Sequence, residues 1–472
     1  MAGTREKFGS RIGFILAAAG SAVGIGNLVG FPVNAAKNGG GAFLVIYALF
    51  VALFCLPVML AEISVGRHSA KNPLGTFRSL APGSRFWPIG GWLALITPYM
   101  IAVFYSVITM WVLGYLIISV TGNLDQLATP GYFGEFINTK TAFIYLALVA
   151  AMVGYILNGG VQDGIERAAK VLMPALFIML IGMVVFVLTR DNVMPGVKYY
   201  LVPDFSKIGT QAINSAMGQA FFSLSLGMGI LITYGSYMKK EESIVNSSKM
   251  VAFADTGVAF IAGLMILPAI FSFNPGVNTE ELSESSVALI FSFLPQIFLA
   301  MQDSIGYFGA SLVAATFFLL TFFAALTSLV SIIEVPVAAV IDHKGSSRKK
   351  ALMEVGFTMI LVSMACTVSF GMVDFFTSFT EYGGVSRSFF DVVVDVFYET
   401  ILPLNGMLIC LLVSFRWKKA NFDRELEQGD PDYRGSLLER YVNVSLETII
   451  PIMLLFVFIN TVLSKFFNIN LV

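Results

Sequence analysis

The stretch Gly20-Ser21-Ala22-Val23-Gly24-Ile25-Gly26-Asn27 decides how this chain is read. It sits in the middle of an apolar segment, Ile12 to Ala36, that is long enough to cross a bilayer. Each glycine weakens a helix interior by roughly 1 kcal/mol relative to alanine, and Gly20, Gly24 and Gly26 fall close together. In hydrocarbon, unwound backbone persists only where protein, ion or ligand satisfies its N–H and C=O groups. Asn27 brings an amide to the same depth. A membrane helix interrupted here is a place to hold something small and polar. The competing reading is close helix packing, since Gly20-x-x-x-Gly24 and Gly26-x-x-x-Gly30 both fit the small-residue contact pattern.

The rest of the chain fits a membrane setting. Of its 472 residues, 57% are hydrophobic and only 12% charged, with a mean hydropathy of +0.80. Soluble domains carry about 25% charged residues. A net charge of -1 without a basic tract excludes a nucleic-acid partner. Cys55, Cys366 and Cys410 all lie in apolar runs and read as small buried hydrophobes rather than a disulfide or metal set. His68 and His343 are expected in solvated loops, and no HExxH or nucleophile-elbow pattern is present, so the chain does not read as an enzyme. The first apolar segment is too long for a cleavable signal peptide and reads as its own insertion signal.

Runs near twenty apolar residues predict eleven helices: 12–37, 42–67, 88–121, 141–157, 166–189, 212–238, 247–272, 307–341, 350–370, 386–415 and 438–464. Most of the 29 Lys and Arg residues fall in the loops on the N-terminal side, which puts that side in the cytoplasm. An odd number of helices then puts the C-terminus outside. The external loop 273–306 carries Glu280, Glu281, Glu284 and Asp303, and its apolar patches 288–291 and 297–299 are expected to pack back onto the bundle. The loop 416–434, rich in both charge signs, reads as a solvated linker.

Helix 6, at 212–238, repeats the interruption of helix 1, at 12–37. Its middle reads Gly218-Gln219-Ala220-Phe221-Phe222-Ser223-Leu224-Ser225-Leu226-Gly227-Met228-Gly229. These two helices open the first and second sets of five. Paired interruptions in corresponding halves point to a transporter built from inverted repeats. Half-helix N-termini turn N–H groups and partial positive charge toward an anion such as a carboxylate. Half-helix C-termini offer carbonyls to a cation or an ammonium. Helix 8, at 307–341, contains Ala324-Ala325-Leu326-Thr327-Ser328. Its hydroxyls either bond back to their own helix or join helix carbonyls in an oxygen shell for a hard cation such as sodium. Glu62, an ionisable residue inside helix 2 (42–67), is a functional candidate on that ground alone. A channel would show rings of charge or repeated filter loops, and a receptor a soluble output domain; neither is evident.

At these residues the chain resembles the neurotransmitter:sodium symporter family, in its bacterial amino-acid, leucine-transporter-like branch. The motifs are the stretch Gly20 to Pro32, Asn38-Gly39-Gly40-Gly41-Ala42-Phe43, Phe222 to Gly227 and Ala324 to Ser328, in order and at family spacing. The resemblance runs from Arg5 to about Pro403 and is topological beyond. It implies an all-α polytopic fold of eleven transmembrane helices in one domain. Residues 10–190 would form one five-helix repeat, 211–415 its inverted counterpart, and 436–467 an additional helix 11. It implies a bacterial plasma (inner) membrane protein.

The resemblance also implies two sodium sites. One would use the Ala22 carbonyl, Asn27, Ser223 and Asp255, in contact with the substrate carboxylate. The other would use carbonyls of Gly20, Val23 and Ala324 with the hydroxyls of Thr327 and Ser328. The carboxylate would rest on N–H groups of Ile25 and Gly26 and on the Tyr105 hydroxyl. The ammonium would meet carbonyls near Ala22, Phe222 and Ser223 and the Ser225 hydroxyl. Ile101, Phe222, Met228, Ser328 and Ile332 would line the side-chain pocket. Arg5, Ser236, Tyr237 and Asp342 would close the cytoplasmic path, and Glu62 would brace helix 6. Monoamine-type members carry an aspartate where this chain has Gly24, so the substrate here brings its own carboxylate.

Two positions depart from the family. Gly30 stands where an arginine usually pairs with an outer aspartate on helix 10 (386–415), which here carries Asp391 and Asp395 on one face. Phe222 with Tyr105 is then the expected external lid. Phe8 replaces a tryptophan near the inner gate. The expected function is sodium-coupled uptake of a neutral, hydrophobic α-amino acid, independent of chloride because Asp255 supplies a fixed negative charge. A betaine or γ-amino acid is the alternative substrate class. The expected partners are sodium, the amino acid and the lipid bilayer, with no organic cofactor.

Overall fold

The computed structural model describes residues 5–273 and 289–469, and among them nine helices are long and apolar enough to cross a bilayer. They are helix 2 (Gly41–Ser69), helix 3 (Trp87–Val120), helix 4 (Thr141–Asn158), helix 5 (Gly160–Leu188), helix 7 (Ile244–Ser272), helix 8 (Gln302–Lys344), helix 9 (Arg348–Val368), helix 10 (Phe389–Glu427) and helix 11 (Leu437–Phe467). Helix 1 makes a tenth, in two pieces, Arg11–Ala22 and Gly26–Lys37, that meet at 54°. Helix 6 is likewise in two pieces, Thr210–Ser223 and Ile230–Ser236, parted by residues 224–229. The chain is an all-α polytopic membrane protein.

Helices 3 and 8 share the most extensive helix–helix contact and are the most deeply buried, whereas helices 4, 5, 9 and 11 turn most of their surface outward. The buried side of helix 8 alternates bulk with small residues: Phe317, Phe318 and Leu320, then Ala324 and Ala325. The alanines let helix 1 approach. Gly20 stays helical there, and a Cβ on it would lie 3.3 Å from the Thr327 Cβ. The packing reading of Gly20 and the interruption just after it are both realised.

The segment before helix 8 packs onto the bundle as expected. Ile290, Phe291, Leu294 and Phe298 are buried, and the Phe291 ring stacks on Phe133 with centroids 4.9 Å apart. Gly306, with φ +73°, kinks the chain immediately before the membrane-crossing part of helix 8. Glu280, Glu281 and Glu284 lie outside the described residues.

One expectation fails on the N-terminal side. The 416–434 segment is not a solvated linker: helix 10 turns at Lys418 (φ +75°) and continues as Lys419–Glu427, whose Phe422, Glu425 and Leu426 are buried. Charge composition alone concealed an amphipathic turn. His68 is exposed, as expected, while its ring lies 4.9 Å from Trp417 and its Nδ1 3.2 Å from Glu425 Oε2. Beside it, fully buried Arg67 donates from Nε to Glu425 Oε1 (2.6 Å) and from Nη1 to the Glu242 carbonyl (2.7 Å). That guanidinium ties helix 2, the chain after helix 6 and the end of helix 10 together.

Candidate functional site

Helix 1 loses its regular bonding at Val23, whose ψ of 103° is extended rather than helical. The chain recovers at Gly26 as a π-turn, Gly26–Gly30, before Phe31–Lys37 continues. Within the break, the Gly24 N–H donates to Asn27 Oδ1 (3.1 Å) and the Ile25 N–H to the Tyr105 hydroxyl (3.4 Å). A side chain at 24 has no room: a Cβ there would lie 2.9 Å from both Ser328 Oγ and Tyr105 Oη.

Helix 6 breaks opposite. Ser225 (φ +55°), Gly227 (φ +77°) and Gly229 (φ +68°) carry the chain through left-handed backbone. Glycine is required at 227, where a Cβ would meet the Leu402 carbonyl at 2.6 Å. Side chains from other helices satisfy the freed peptide: Glu62 Oε1 accepts from the Gly227 N–H (2.7 Å), and Asn405 Nδ2 donates to the Gly227 carbonyl (2.9 Å). Glu62 thus braces helix 6, as the resemblance implied; Asn405 was not foreseen. Ser225 Oγ donates to the Ser21 carbonyl of helix 1 (3.1 Å), joining the two breaks directly.

Two oxygen-rich clusters flank these breaks. In the first, Asn27 Nδ2 donates to Ser223 Oγ (2.9 Å) and Asp255 Oδ1 (2.7 Å), and Ser223 Oγ donates to the same carboxylate. Tyr47 of helix 2 completes it, donating to Asp255 Oδ2 at 2.9 Å. Asn27, Tyr47, Ser223 and Asp255 are all buried. A tyrosine in an apolar run gives no local sign of such a role. In the second cluster, Ser328 Oγ sits 3.1, 3.3 and 3.4 Å from the carbonyls of Ser21, Val23 and Gly20. Thr327 Oγ1 lies 3.0 Å from the carbonyls of Phe323 and Ala324. Oxygens without a strong charge, gathered at unwound backbone, suit a hard monovalent cation. Ser331, which the sequence did not single out, supports the cluster through Ser21 Oγ (2.6 Å).

From the side opposite Arg5, a cavity of about 700 Å³ reaches the breaks and is lined by Ile25, Gly26, Gly30, Tyr105, Phe222 and Tyr398 among others. Ala22, Ile101, Met228, Ser328 and Ile332 are buried and do not line it. The two expected lid residues, Phe222 and Tyr105, both line this cavity. Phe222 stacks on Tyr398 of helix 10, centroids 4.6 Å apart and planes at 26°, while Tyr105 turns its hydroxyl to the break in helix 1. Asp391 and Asp395 also separate in function. Asp391 caps the helix 10 start with Ser388, whereas Asp395, one π-turn on, accepts from Tyr382 Oη (2.7 Å).

At the other end the path is shut. Arg5 pairs with Asp342, donates from Nη2 to Ser236 Oγ (2.7 Å) and lies over the Tyr237 ring. Tyr237 in turn donates to buried Glu334 (2.7 Å), which Arg348 holds at 2.8 Å. All four residues expected at this closure meet. Burial, reinforced by Arg5, Lys240 and Arg67, lowers the pKa of the neighbouring Lys7 ammonium. Phe8 packs edge-on against Tyr234 and Tyr237 where a larger ring was expected.

A helical bundle with one end closed by ion pairs, the other open to a cavity, and two broken helices facing each other between them has the build of a secondary transporter. The Bacillus subtilis sodium-dependent transporter YhdH is 33% identical over 460 residues, covering 97% of both chains. A Methanocaldococcus jannaschii sodium-dependent transporter, MJ1319, is 34% identical, covering 78% of this chain and 76% of its own. The crystal structure of MhsT in complex with L-phenylalanine superposes with a TM-score of 0.83 at 37% identity, covering 96% of this chain and 99% of that one. The chain belongs to the sodium:neurotransmitter symporter family, whose sequence model matches residues 5–130 and 134–469. It is a sodium-dependent membrane transporter, not an enzyme.

Proposed function

We propose that this protein takes up a neutral, hydrophobic α-amino acid together with sodium, by alternating access. The observation that carries the reading is the pair of facing breaks, which offers N–H groups from one half-helix and carbonyls from the other within one buried volume. A zwitterion buried mid-membrane needs both ends satisfied. Its carboxylate would displace the Tyr105 contact at Ile25 and lie on the N–H groups of Ile25 and Gly26. Its ammonium would take the carbonyls near Ala22, Phe222 and Ser223. The side chain would pack among Ile101, Phe222, Met228, Ser328 and Ile332. That MhsT was solved with L-phenylalanine supports an amino acid as substrate.

Two sodium ions fit the two oxygen clusters. The Asn27–Ser223–Asp255 cluster adjoins the break, so the substrate carboxylate completes its shell and each ligand raises the other's affinity. The Gly20, Val23, Ala324, Thr327 and Ser328 oxygens would hold the second ion where helix 1 meets helix 8. The membrane potential alone supplies about 2.3 kcal/mol per sodium charge per 100 mV. Asp255 provides a fixed anion, so chloride has no charge to balance; replacing chloride by gluconate should leave uptake unchanged. The Arg5 side is cytoplasmic and the cavity faces outward. Residues 10–190 and 211–415 act as inverted halves, with helices 1, 2, 6 and 7 rocking against the rest.

The test is uptake into proteoliposomes under an imposed sodium gradient across the standard amino acids, with L-phenylalanine the first probe. Sodium-stimulated uptake of a hydrophobic amino acid is the expected result. Competition by a betaine or γ-amino acid, with none by hydrophobic α-amino acids, would overturn the substrate assignment.

A further inference from the structure

We propose that Lys465 of helix 11 is a positioning residue of the outer gate: it clamps the carboxylates that fix Tyr398 over the substrate position. This rests on the proposed transport reading. Lys465 Nζ lies 2.7 Å from Glu399 Oε2 and 3.0 Å from Asp395 Oδ1, the two carboxylates that flank Tyr398 along helix 10. Tyr398 is the residue whose ring stacks on Phe222 at the floor of the cavity. The segment Val394–Ile401 that carries all three is π-helical, a form found frequently at functional sites. Lys465 is the contact from outside that helix that holds both carboxylates.

The charges around the cavity make the clamp necessary. Glu399 lines it, and among the described residues no Lys or Arg does; Gly30 brings none from helix 1. An uncompensated carboxylate there would repel the carboxylate of an arriving zwitterion. Lys465, reaching Glu399 from behind, neutralises it, while Arg387 stands 3.9 Å from Asp395. Helix 11 is bound to the same unit by more than charge. The Gly383 N–H donates to the Phe466 carbonyl (3.2 Å), and the Tyr382 and Phe466 rings lie 4.8 Å apart. Val457 and Thr461 of helix 11 line the cavity beside Glu399. A helix outside both repeats is therefore one wall of the gate.

The test uses the full chain in proteoliposomes with a reporter cysteine, Ser215→Cys, in the cavity wall; the three native cysteines are buried. Labelling by a membrane-impermeant thiol reagent is read with sodium alone and with sodium plus L-phenylalanine. In the parent, the amino acid should protect the thiol by closing the lid. In Lys465→Met, protection should weaken and the KM for L-phenylalanine rise about fivefold to tenfold, the usual scale of coupling between sites, with Lys465→Arg restoring both. Parent-like protection and KM in Lys465→Met would overturn the inference. Should that variant fail to reach the membrane, Lys465→Gln decides in the same way, because it too removes the charge that pairs with Glu399 and Asp395. Absence of protection in the parent itself would instead sink the proposed function.

Discussion

Thr327→Val removes one hydroxyl from the helix 8 cluster and keeps the side-chain shape. If Thr327 only bonds back to its own helix, at 3.0 Å to Phe323 and Ala324, the substitution costs about 0.5–1.5 kcal/mol of stability and nothing else. If it also supplies an oxygen to sodium, the lost contact is charge-assisted. That is worth about 1.5–3 kcal/mol, or about tenfold to a hundredfold in sodium affinity. Thr321 is the matched control: its hydroxyl bonds back to Phe317 at 2.8 Å on the same helix, away from the break. The assay is amino-acid uptake as a function of sodium concentration, with thermal unfolding of the purified protein alongside. The half-saturating sodium concentration should rise at least about tenfold in Thr327→Val and stay unchanged in Thr321→Val, with similar losses of thermal stability in both. An unaltered sodium dependence in Thr327→Val would refute the cation site and leave the hydroxyl with its local role.

Gly227→Ala should lower stability by about 2 kcal/mol or more, since left-handed backbone and the Leu402 carbonyl both oppose a Cβ; an unchanged melting temperature would contradict this. Arg5→Gln removes the charge shared by Asp342, Ser236 and Tyr237 and should cut sodium-driven uptake about tenfold by unlocking the cytoplasmic side, with Arg5→Lys partly restoring it; wild-type uptake by Arg5→Gln would show that another contact shuts the path. Arg67→Met leaves buried Glu425 with only His68 as an ionisable partner and should cost about 3–5 kcal/mol. The double variant Arg67→Met/Glu425→Leu should recover most of that in thermal unfolding, and no recovery would mean that the guanidinium's carbonyl contacts dominate.

What the sequence disclosed was governed by locality. Membrane spans are runs of contiguous residues, so the nine long helices and broken helix 1 are legible from hydropathy, and both breaks from clustered glycines and polar residues within a few positions. The candidate ligands on those breaks were reached by matching short motifs. What escaped are partners distant in sequence. Tyr47 reaches Asp255, and Asn405 reaches Gly227, from apolar helices whose composition gives no hint of a polar task. Tyr398 escaped for the same reason. Its ring meets Phe222 of helix 6, far away in sequence, and nothing local in helix 10 marks it for that contact. The 416–434 segment misled because charge was read as solvation; its apolar residues at Phe422 and Leu426 are one helical turn apart and face helix 2.

The Gly227 peptide shows how these distant contacts enter the transport cycle. Its N–H is held by helix 2 and its carbonyl by helix 10, on opposite sides of the proposed division between rocking and fixed helices. Neither bond has water to replace it in hydrocarbon, so each costs its full desolvation penalty to break. A rigid rotation of helices 1, 2, 6 and 7 cannot keep both. Either Asn405 follows Gly227, bending helix 10 near Pro403, or the carbonyl exchanges Asn405 for another donor as the vestibule closes. Helix 10 carries the lid tyrosine, Tyr398, about two turns before Asn405, so the first course couples the lid to the break in helix 6.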